Sequence, residues 1–264
     1  MVGQERLKSL LSKYDLETLP QSLLFVGKKG CGKHLCVQEL AERLSIPIID
    51  ISSNLTFEFL QDIQVENVNP CLYLIDTTSI TEKAQNVILK FLEEPTKNVY
   101  IVLLSEDKES LLPTIRNRCV TMEWEPYSKD ELKQFIVDKT YENELLEVCE
   151  TPGQITSINA SILQSLYKLC DTIVEKIDAA PYHNTLTIAN KINYKEDYDK
   201  YDYHIFINVL RKRILRHYER TGRDIDLEIY KIVHKYAIMG RDSRMNREMI
   251  IKNMLTEMWE RVHI

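Results

Sequence analysis

Residues 27–34 have the sequence GKKGCGKH, and the fold class can be argued outward from this segment. The five residues before it, Ser22–Val26, form an apolar run of strand length. The residues after it, 33–44, have apolar side chains at helical spacing. Three of the chain's seven glycines lie between positions 27 and 32, so they are expected on a tight strand-to-helix turn.

This turn fits the G-x-x-x-x-G-K pattern of a P-loop. Glycines allow backbone N–H groups to close around phosphate oxygens, and the following helix adds a favourable dipole. Lys33 is expected to reach the outer phosphates. A tight turn that holds no ligand is the alternative interpretation. This pattern predicts that six residues contact nucleotide: Gly27, Gly30, Cys31, Gly32, Lys33 and His34.

Two positions depart from an active P-loop ATPase. His34 stands where a Ser or Thr hydroxyl holds Mg²⁺, and an imidazole is a poor ligand for this hard ion. The apolar strand 72–77 ends in Asp76-Thr77 instead of Asp-Glu. Asp76 can still orient a metal-bound water, but Thr77 cannot polarise the attacking water. The sequence therefore allows ATP or ADP, argues against Mg²⁺ and predicts little or no hydrolysis by this chain alone.

Strand and helix patterns alternate up to Pro126. Further strands are predicted at 47–52, 71–77, 98–105 and 120–124, and helices at 57–64, 81–94 and 110–116. Continuous apolar runs in such strands are typical of a parallel sheet that is covered on both faces. The pattern predicts an α/β P-loop domain over residues 1–126, with a parallel sheet and helices on both faces.

Only helical patterns follow Pro126. Ser128 and Glu131 form a capping box that opens a predicted helix at 131–140. Further helices are predicted at 142–149, 153–162, 163–179, 182–192, 197–221, 225–239 and 246–262. We therefore predict a small helical domain over 127–162 and an all-helical C-terminal domain over 163–264.

Composition excludes several classes of protein. With 44% apolar and 28% charged residues, the 264-residue chain is globular, and no apolar run approaches the roughly 20 residues that cross a bilayer. No signal segment is recognised at the N-terminus, so a cytoplasmic protein without membrane contact is expected. The net charge of −6 argues against strong general attraction to nucleic acid. Six scattered cysteines without a C-x-x-C pair predict neither disulfides nor zinc.

Three segments together carry a family resemblance. Residues 81–95, TEKAQNVILKFLEEP, are similar to the pattern A-x-N-x-L-L-K-x-L-E-E-P, and residues 111–119, LLPTIRNRC, are similar to L-P-T-I-x-S-R-C. Residues 2–4 and 19–27 resemble the start of the same proteins. These patterns are those of AAA+ clamp-loader subunits, above all the delta-prime and gamma/tau type of DNA polymerase III. The resemblance is strong over 1–125, moderate over the next forty residues, and beyond them rests on helical content alone.

The resemblance assigns roles to individual residues. Arg118 matches the arginine finger that completes the ATP site of a neighbouring subunit, for which a planar, always charged guanidinium is suited. Arg116 competes for this role, and a surface arginine that binds helix-end carbonyls is the alternative. Ser105 falls where the family places a residue that senses the γ-phosphate, although it would also end a strand naturally. Residues 151–158 lack the arginine that active subunits place over the nucleotide.

The resemblance implies a delta-prime-type clamp-loader subunit that acts in DNA replication as a component of the DNA polymerase III holoenzyme. Residues 127–162 would be its lid and 163–264 its oligomerisation collar. Its expected partners are gamma/tau-like and delta-like subunits, the sliding clamp and primer-template DNA. An active gamma-type ATPase, or a P-loop kinase or adaptor outside replication, remains the alternative.

Two features leave questions open. The four-cysteine zinc module usual in bacterial members is absent, since residues 34–75 contain only Cys36 and Cys71; a bacterial or a phage origin therefore remains open. A basic segment at 210–220 is either the solvated face of a helix or a contact for DNA or an acidic neighbour. The Tyr-rich run 194–203 is favoured as a packed helix start or a loop over a base-stacking surface.

Overall fold

The computed structural model of the protein describes residues 2–53, 55, 69–78, 80–93, 96–177, 203–240 and 245–263. These residues form two compact units, Met1–Glu131 and Leu132–Ile264. The predicted helices at 57–64 and 182–192 and most of the Tyr-rich run lie outside the described residues. The division into three domains, with boundaries after 126 and 162, stays a prediction.

The first unit is built on a parallel sheet of five strands, which confirms the predicted fold class. The strands are β1 (Ser22–Val26), β2 (Ile48–Asp50), β3 (Cys71–Asp76), β4 (Val99–Ser105) and β5 (Val120–Glu123). Their order is β2-β3-β4-β1-β5, and every pairing is parallel. β2 is shorter than predicted because the Asp50 carboxylate accepts hydrogen bonds from the Ser52 backbone and hydroxyl, which turn the chain away from the sheet.

Helices cover both faces of this sheet. They are α1 (Glu5–Leu11), α2 (Lys33–Leu44), α3 (Glu82–Glu93) and α4 (Pro113–Arg116). Because successive strand side chains point to opposite faces, Leu23 and Phe25 share one buried cluster with α1 and α2, while Leu24 shares the other with α3 and α4. This two-sided burial explains the continuous apolar runs of the central strands.

The predicted helix at 110–116 is wrong in its first half. The chain forms a 3₁₀ turn at Lys108–Ser110, and α4 begins only at Pro113. Leu112 is extended, with φ −56° and ψ 138°, because a residue that precedes proline disfavours the helical region. The short α4 therefore places residues 114–118 directly before β5.

The second unit is helical in its described part, as predicted. The helix α5 (Lys129–Lys133) runs across the boundary between the two units, and α6 (Glu142–Val148), α7 (Pro152–Ser157), α8 (Ala160–Lys176), α9 (Tyr203–Thr221), α10 (Asp224–Met239) and α11 (Arg247–His263) follow. Among them α9 packs against α8 and α10, and α10 packs against α11. No helix in the described ranges is long and apolar enough to span a bilayer.

Two helix boundaries in this region differ from prediction. The Ser128–Glu131 capping box is present, since the Glu131 carboxylate accepts from the Ser128 N–H and hydroxyl at 2.7 Å. The helix nevertheless ends at Lys133, not 140, because tighter turns follow, with Ile136 N–H donating to the Lys133 carbonyl at 3.2 Å. The predicted helix 153–162 is two helices, because the Asn159 side chain caps a new one by accepting from Ile162 N–H at 2.9 Å.

Candidate functional site: the phosphate loop and the arginine

The carboxyl ends of three neighbouring strands gather the predicted nucleotide residues at one edge of the sheet. The loop 27–34 follows β1, Asp76 ends β3 and Ser105 ends β4. Val26 pairs with Ser105, and Asp76 pairs with Leu104. In an open parallel sheet, the crevice outside these strand ends is the usual ligand site.

The loop has a backbone shape that requires glycine. Gly30 and Gly32 have φ angles of 78° and 99°, in the left-handed region. A Cβ atom on Gly27 would lie 2.7 Å from Cys31 Sγ and 2.8 Å from Trp124 Cβ. With the N-terminus of the 12-residue α2 directly behind it, this turn fits the phosphate groups of a nucleotide.

Lys33 is buried at the start of α2. Its ammonium donates to the Gly27 carbonyl at 2.5 Å and to the Lys28 carbonyl at 3.3 Å. The side chain therefore folds back across the loop, and phosphate oxygens would compete with these carbonyls for the same donors.

Two aromatic residues after β5 support the loop, and sequence reasoning missed both. Tyr127 Oη donates to the Cys31 carbonyl at 2.7 Å, and burial raises the pKa of this phenol to about 12. The Trp124 ring packs against Phe25, with centroids 5.3 Å apart, beside Gly27. No local pattern announces these contacts, because the loop and residues 124–127 meet only through the pairing of β1 with β5.

Cys31, a predicted nucleotide residue, is buried within the loop. Burial raises the pKa of its thiol above the usual value, so the thiol stays neutral near pH 7. The side chain therefore fills space beside Gly27, while its carbonyl binds Tyr127. The Cys31 backbone N–H donates to the Lys28 carbonyl at 3.2 Å, and contact of Cys31 with nucleotide stays a prediction.

His34 lies beside Asp76, where a P-loop ATPase would hold its metal. The distance from His34 Nε2 to Asp76 Oδ2 is 3.7 Å. The other Asp76 oxygen accepts hydrogen bonds from the Thr78 N–H, at 2.9 Å, and from the Thr78 hydroxyl. This arrangement does not fit Mg²⁺, which needs oxygen ligands in near-octahedral geometry.

Thr77 connects two strands. Its hydroxyl and its N–H both donate to the Leu104 carbonyl, at 2.8 and 2.9 Å, and the residue is buried. The Thr77 side chain thus serves sheet structure and offers no carboxylate that could polarise an attacking water.

Ser105 is also buried, and its hydroxyl donates to the Asp107 carbonyl at 2.8 Å. Its own carbonyl accepts from Gly27 N–H at 3.0 Å, which connects the end of β4 to the start of the loop. These bonds describe a strand terminator, and γ-phosphate sensing by Ser105 stays a prediction.

Arg118 lies just before the amino end of β5, whereas the phosphate loop lies at the carboxyl ends of the strands. Its guanidinium donates to the Thr114 carbonyl at 3.0 Å and to Glu93 Oε1 at 2.8 Å. The side chain is 38% exposed, so part of the guanidinium faces solvent. Its competitor Arg116 is less exposed, at 25%, and pairs with Glu109 at 2.6 Å.

Glu93 is a partner of Arg118 that sequence reasoning did not single out. It ends α3, within the segment 81–95 that carries the strongest family pattern. The sequence pattern includes Glu93, but the contact of Glu93 with Arg118, 25 residues away, depends on the packing of α3 against α4.

The basic segment 210–220 is paired with acidic and aromatic side chains of its own unit. Arg213 makes a two-pronged contact with Asp171, through Nε at 2.5 Å and through Nη2. Arg216 and Lys212 share Glu147, at 3.1 and 3.5 Å. This pairing offsets the positive stripe and favours the interpretation as a structural helix face.

Comparison with known proteins places sequence similarity in the first unit. Residues 48–128 match the sequence model of the family described as DNA polymerase III, delta subunit. The delta-prime subunit of DNA polymerase III from Bacillus subtilis is 36% identical over 69 residues, which cover 26% of this chain and 21% of that protein. The delta-prime subunit from Haemophilus influenzae is 43% identical over 54 residues, or 20% and 16%. The aligned stretch thus spans about a fifth or less of these relatives.

Solved structures support the fold. The RuvB Holliday junction branch migration motor of Thermotoga maritima superimposes with a TM-score of 0.51 at 17% identity, covering 78% of this chain and 87% of that one. A RuvB point mutant gives a TM-score of 0.53 at 16% identity, with the same coverage. The chain therefore shares the fold of the RuvB branch migration motor and, between residues 48 and 128, resembles the delta-family subunits of DNA polymerase III.

Proposed function

We propose that this chain is a delta-prime-type clamp-loader subunit that holds nucleotide weakly or structurally and supplies Arg118 to the ATP site of a neighbouring subunit. It works in the cytoplasm as part of a DNA polymerase III complex. Its partners are gamma/tau-like and delta-like subunits, a sliding clamp and primer-template DNA. Because the chain carries a net charge of −6, DNA contact belongs to the assembly.

The observation that carries this proposal is the separation of Arg118 from the chain's own phosphate loop. Val120, two residues after Arg118, pairs with Leu23, and Gly27 follows Leu23 along the same strand direction. At about 3.3 Å per residue, the four residues from Leu23 to Gly27 span about 13 Å. A guanidinium at the amino end of β5 is therefore suited to a phosphate bound by another subunit, and not to a phosphate in the chain's own loop.

The chain's own loop supports binding better than hydrolysis. The glycines and the N-terminus of α2 supply phosphate contacts, but Thr77 is buried as a strand connector. No arginine occurs in 151–158. An active gamma-type ATPase would need a carboxylate at the Thr77 position, so this rival is disfavoured by the same geometry.

Co-purification tests the assembly directly. An affinity-tagged copy of this chain, expressed in its source cell, is expected to elute with gamma/tau-like and delta-like subunits of DNA polymerase III. Elution with none of them would contradict the proposed function and would favour a P-loop kinase or adaptor outside replication.

Replacing Glu93 with glutamine is expected to increase ATP turnover by the assembled complex. Glu93 competes with phosphate for the Nη2 group of Arg118, and the Thr114 carbonyl still orients the guanidinium. An exposed ion pair is worth up to about 1 kcal/mol, so kcat/KM should rise by up to about five-fold. Steady-state ATPase assays measure this change.

Glu109→Gln is the matched control, because it removes the equivalent partner of Arg116. Its rate should equal that of the unmodified complex. A fall in rate for Glu93→Gln would instead mean that Glu93 positions the finger, and equal responses of both variants would remove Glu93 from the mechanism.

A further inference from the structure

His34 stands at the one position of the loop where a P-loop ATPase uses a hydroxyl to hold Mg²⁺. We propose that His34 excludes the metal ion and that this chain binds the phosphates of ADP or ATP without Mg²⁺. The inference rests on the nucleotide binding proposed above, and it adds that the bound nucleotide carries no Mg²⁺.

The first observation is the place of the imidazole. Its Nε2 atom is 3.7 Å from Asp76 Oδ2, longer than a hydrogen bond and within ion-pair range. An Mg²⁺ with its ligands at about 2.0–2.1 Å, and a bound water reaching Asp76, would need this same space. The metal could enter only if the imidazole left Asp76.

The second observation is that Asp76 is already engaged on its other side. Its Oδ1 atom accepts from both the N–H and the hydroxyl of Thr78. The backbone N–H of Asp76 donates to Ser52 Oγ at 2.8 Å, which fixes the end of β3 against the turn after β2. Since Oδ1 is held by Thr78, turning the carboxylate to offer this oxygen to a metal would break existing hydrogen bonds.

The third observation concerns charge. The loop contains Lys28, Lys29 and Lys33 and no acidic residue. Lys28 and Lys29 lie on its exposed side, and Lys33 lies within it. Three ammonium groups and a helix N-terminus can offset phosphate charge that Mg²⁺ offsets elsewhere. A loop of this composition is suited to metal-free nucleotide.

Calorimetric titration of the full chain with ADP, once with Mg²⁺ and once with EDTA, tests the inference. The dissociation constant of the unmodified protein should agree within about two-fold between the two buffers. His34→Ser restores the hydroxyl, and ADP should then bind about ten-fold more tightly with Mg²⁺ than without it. His34 is exposed, so the variant should fold, and circular dichroism checks this.

The outcomes separate this inference from the proposed function. If Mg²⁺ tightens binding to the unmodified protein as much as to His34→Ser, the inference is overturned and nucleotide binding stands. If neither His34→Ser nor His34→Thr gains metal dependence, His34 is not what excludes the metal, and the inference is again overturned. If ADP binds in neither buffer, and the unmodified protein gives the same titration as Lys33→Ala, both nucleotide binding and the inference are rejected. The role of Arg118 is then judged by its own assay.

Discussion

Replacing Arg118 with alanine should lower ATP turnover by the assembled complex by about 10³-fold or more at the site that it completes. A guanidinium offers a planar fork of donors to the γ-phosphate in the transition state, and alanine offers none. Assembly should survive, because Arg118 is half-exposed and its contacts are one carbonyl and one exposed carboxylate. Steady-state ATPase assays on complexes purified through a tag on this chain provide the measurement.

Two controls make this result specific. Arg118→Lys keeps the positive charge and loses the fork, so it should recover only a small part of the rate. Arg116→Ala should leave the rate unchanged, because Arg116 is directed to Glu109. An unchanged rate for Arg118→Ala, or an equal loss for Arg116→Ala, would remove Arg118 as the finger.

Replacing Gly27 with alanine should both destabilise the first unit and weaken nucleotide binding. The new Cβ would meet Cys31 Sγ at 2.7 Å and Trp124 Cβ at 2.8 Å, and forced overpacking of this kind costs about 1–3 kcal/mol. Relief of the clash moves the loop backbone, and the loss of one or two hydrogen bonds to phosphate lowers affinity by roughly 10- to 100-fold. Thermal unfolding and ADP titration measure the two effects.

Gly222→Ala is the control for replacing a glycine without a steric clash. Gly222 has a φ of 68°, and a Cβ atom added there would have no neighbour within 4 Å. The substitution should therefore cost only the strain of a left-handed backbone, about 1–2 kcal/mol. ADP binding by Gly222→Ala should be unchanged. Normal ADP affinity in Gly27→Ala would show that the loop does not cradle phosphate.

The fold could be predicted from sequence because its signals are local. The apolar run before residue 27, the glycines and the helical spacing after Lys33 describe one strand–turn–helix unit, and β1 and α2 form as predicted. Burial of the central strands on both faces follows from their continuous apolar runs. Helix ends after Pro126 were less predictable, because tight turns and the Asn159 cap compete locally with the continuing helical pattern.

The candidate site was predictable in its residue types but not in its contacts. The sequence indicates that His34 departs from a metal site and that Asp76 retains part of one. Their side chains come within 3.7 Å of each other only because β3, β4 and β1 pair in the sheet. The same holds for Tyr127 on the Cys31 carbonyl, 96 residues away. A single sequence carries no signal for pairs that only the sheet brings together.

ATP turnover by the purified chain alone tests the central claim, that it binds nucleotide without hydrolysing it and acts through Arg118. The isolated chain is expected to show no ATP turnover above background. Adding the neighbouring subunits should give normal turnover, and adding them to the Arg118→Ala chain should not. Turnover by the isolated chain in the range of roughly 1–10³ s⁻¹ that is typical of enzymes would contradict the claim and identify it as an active ATPase.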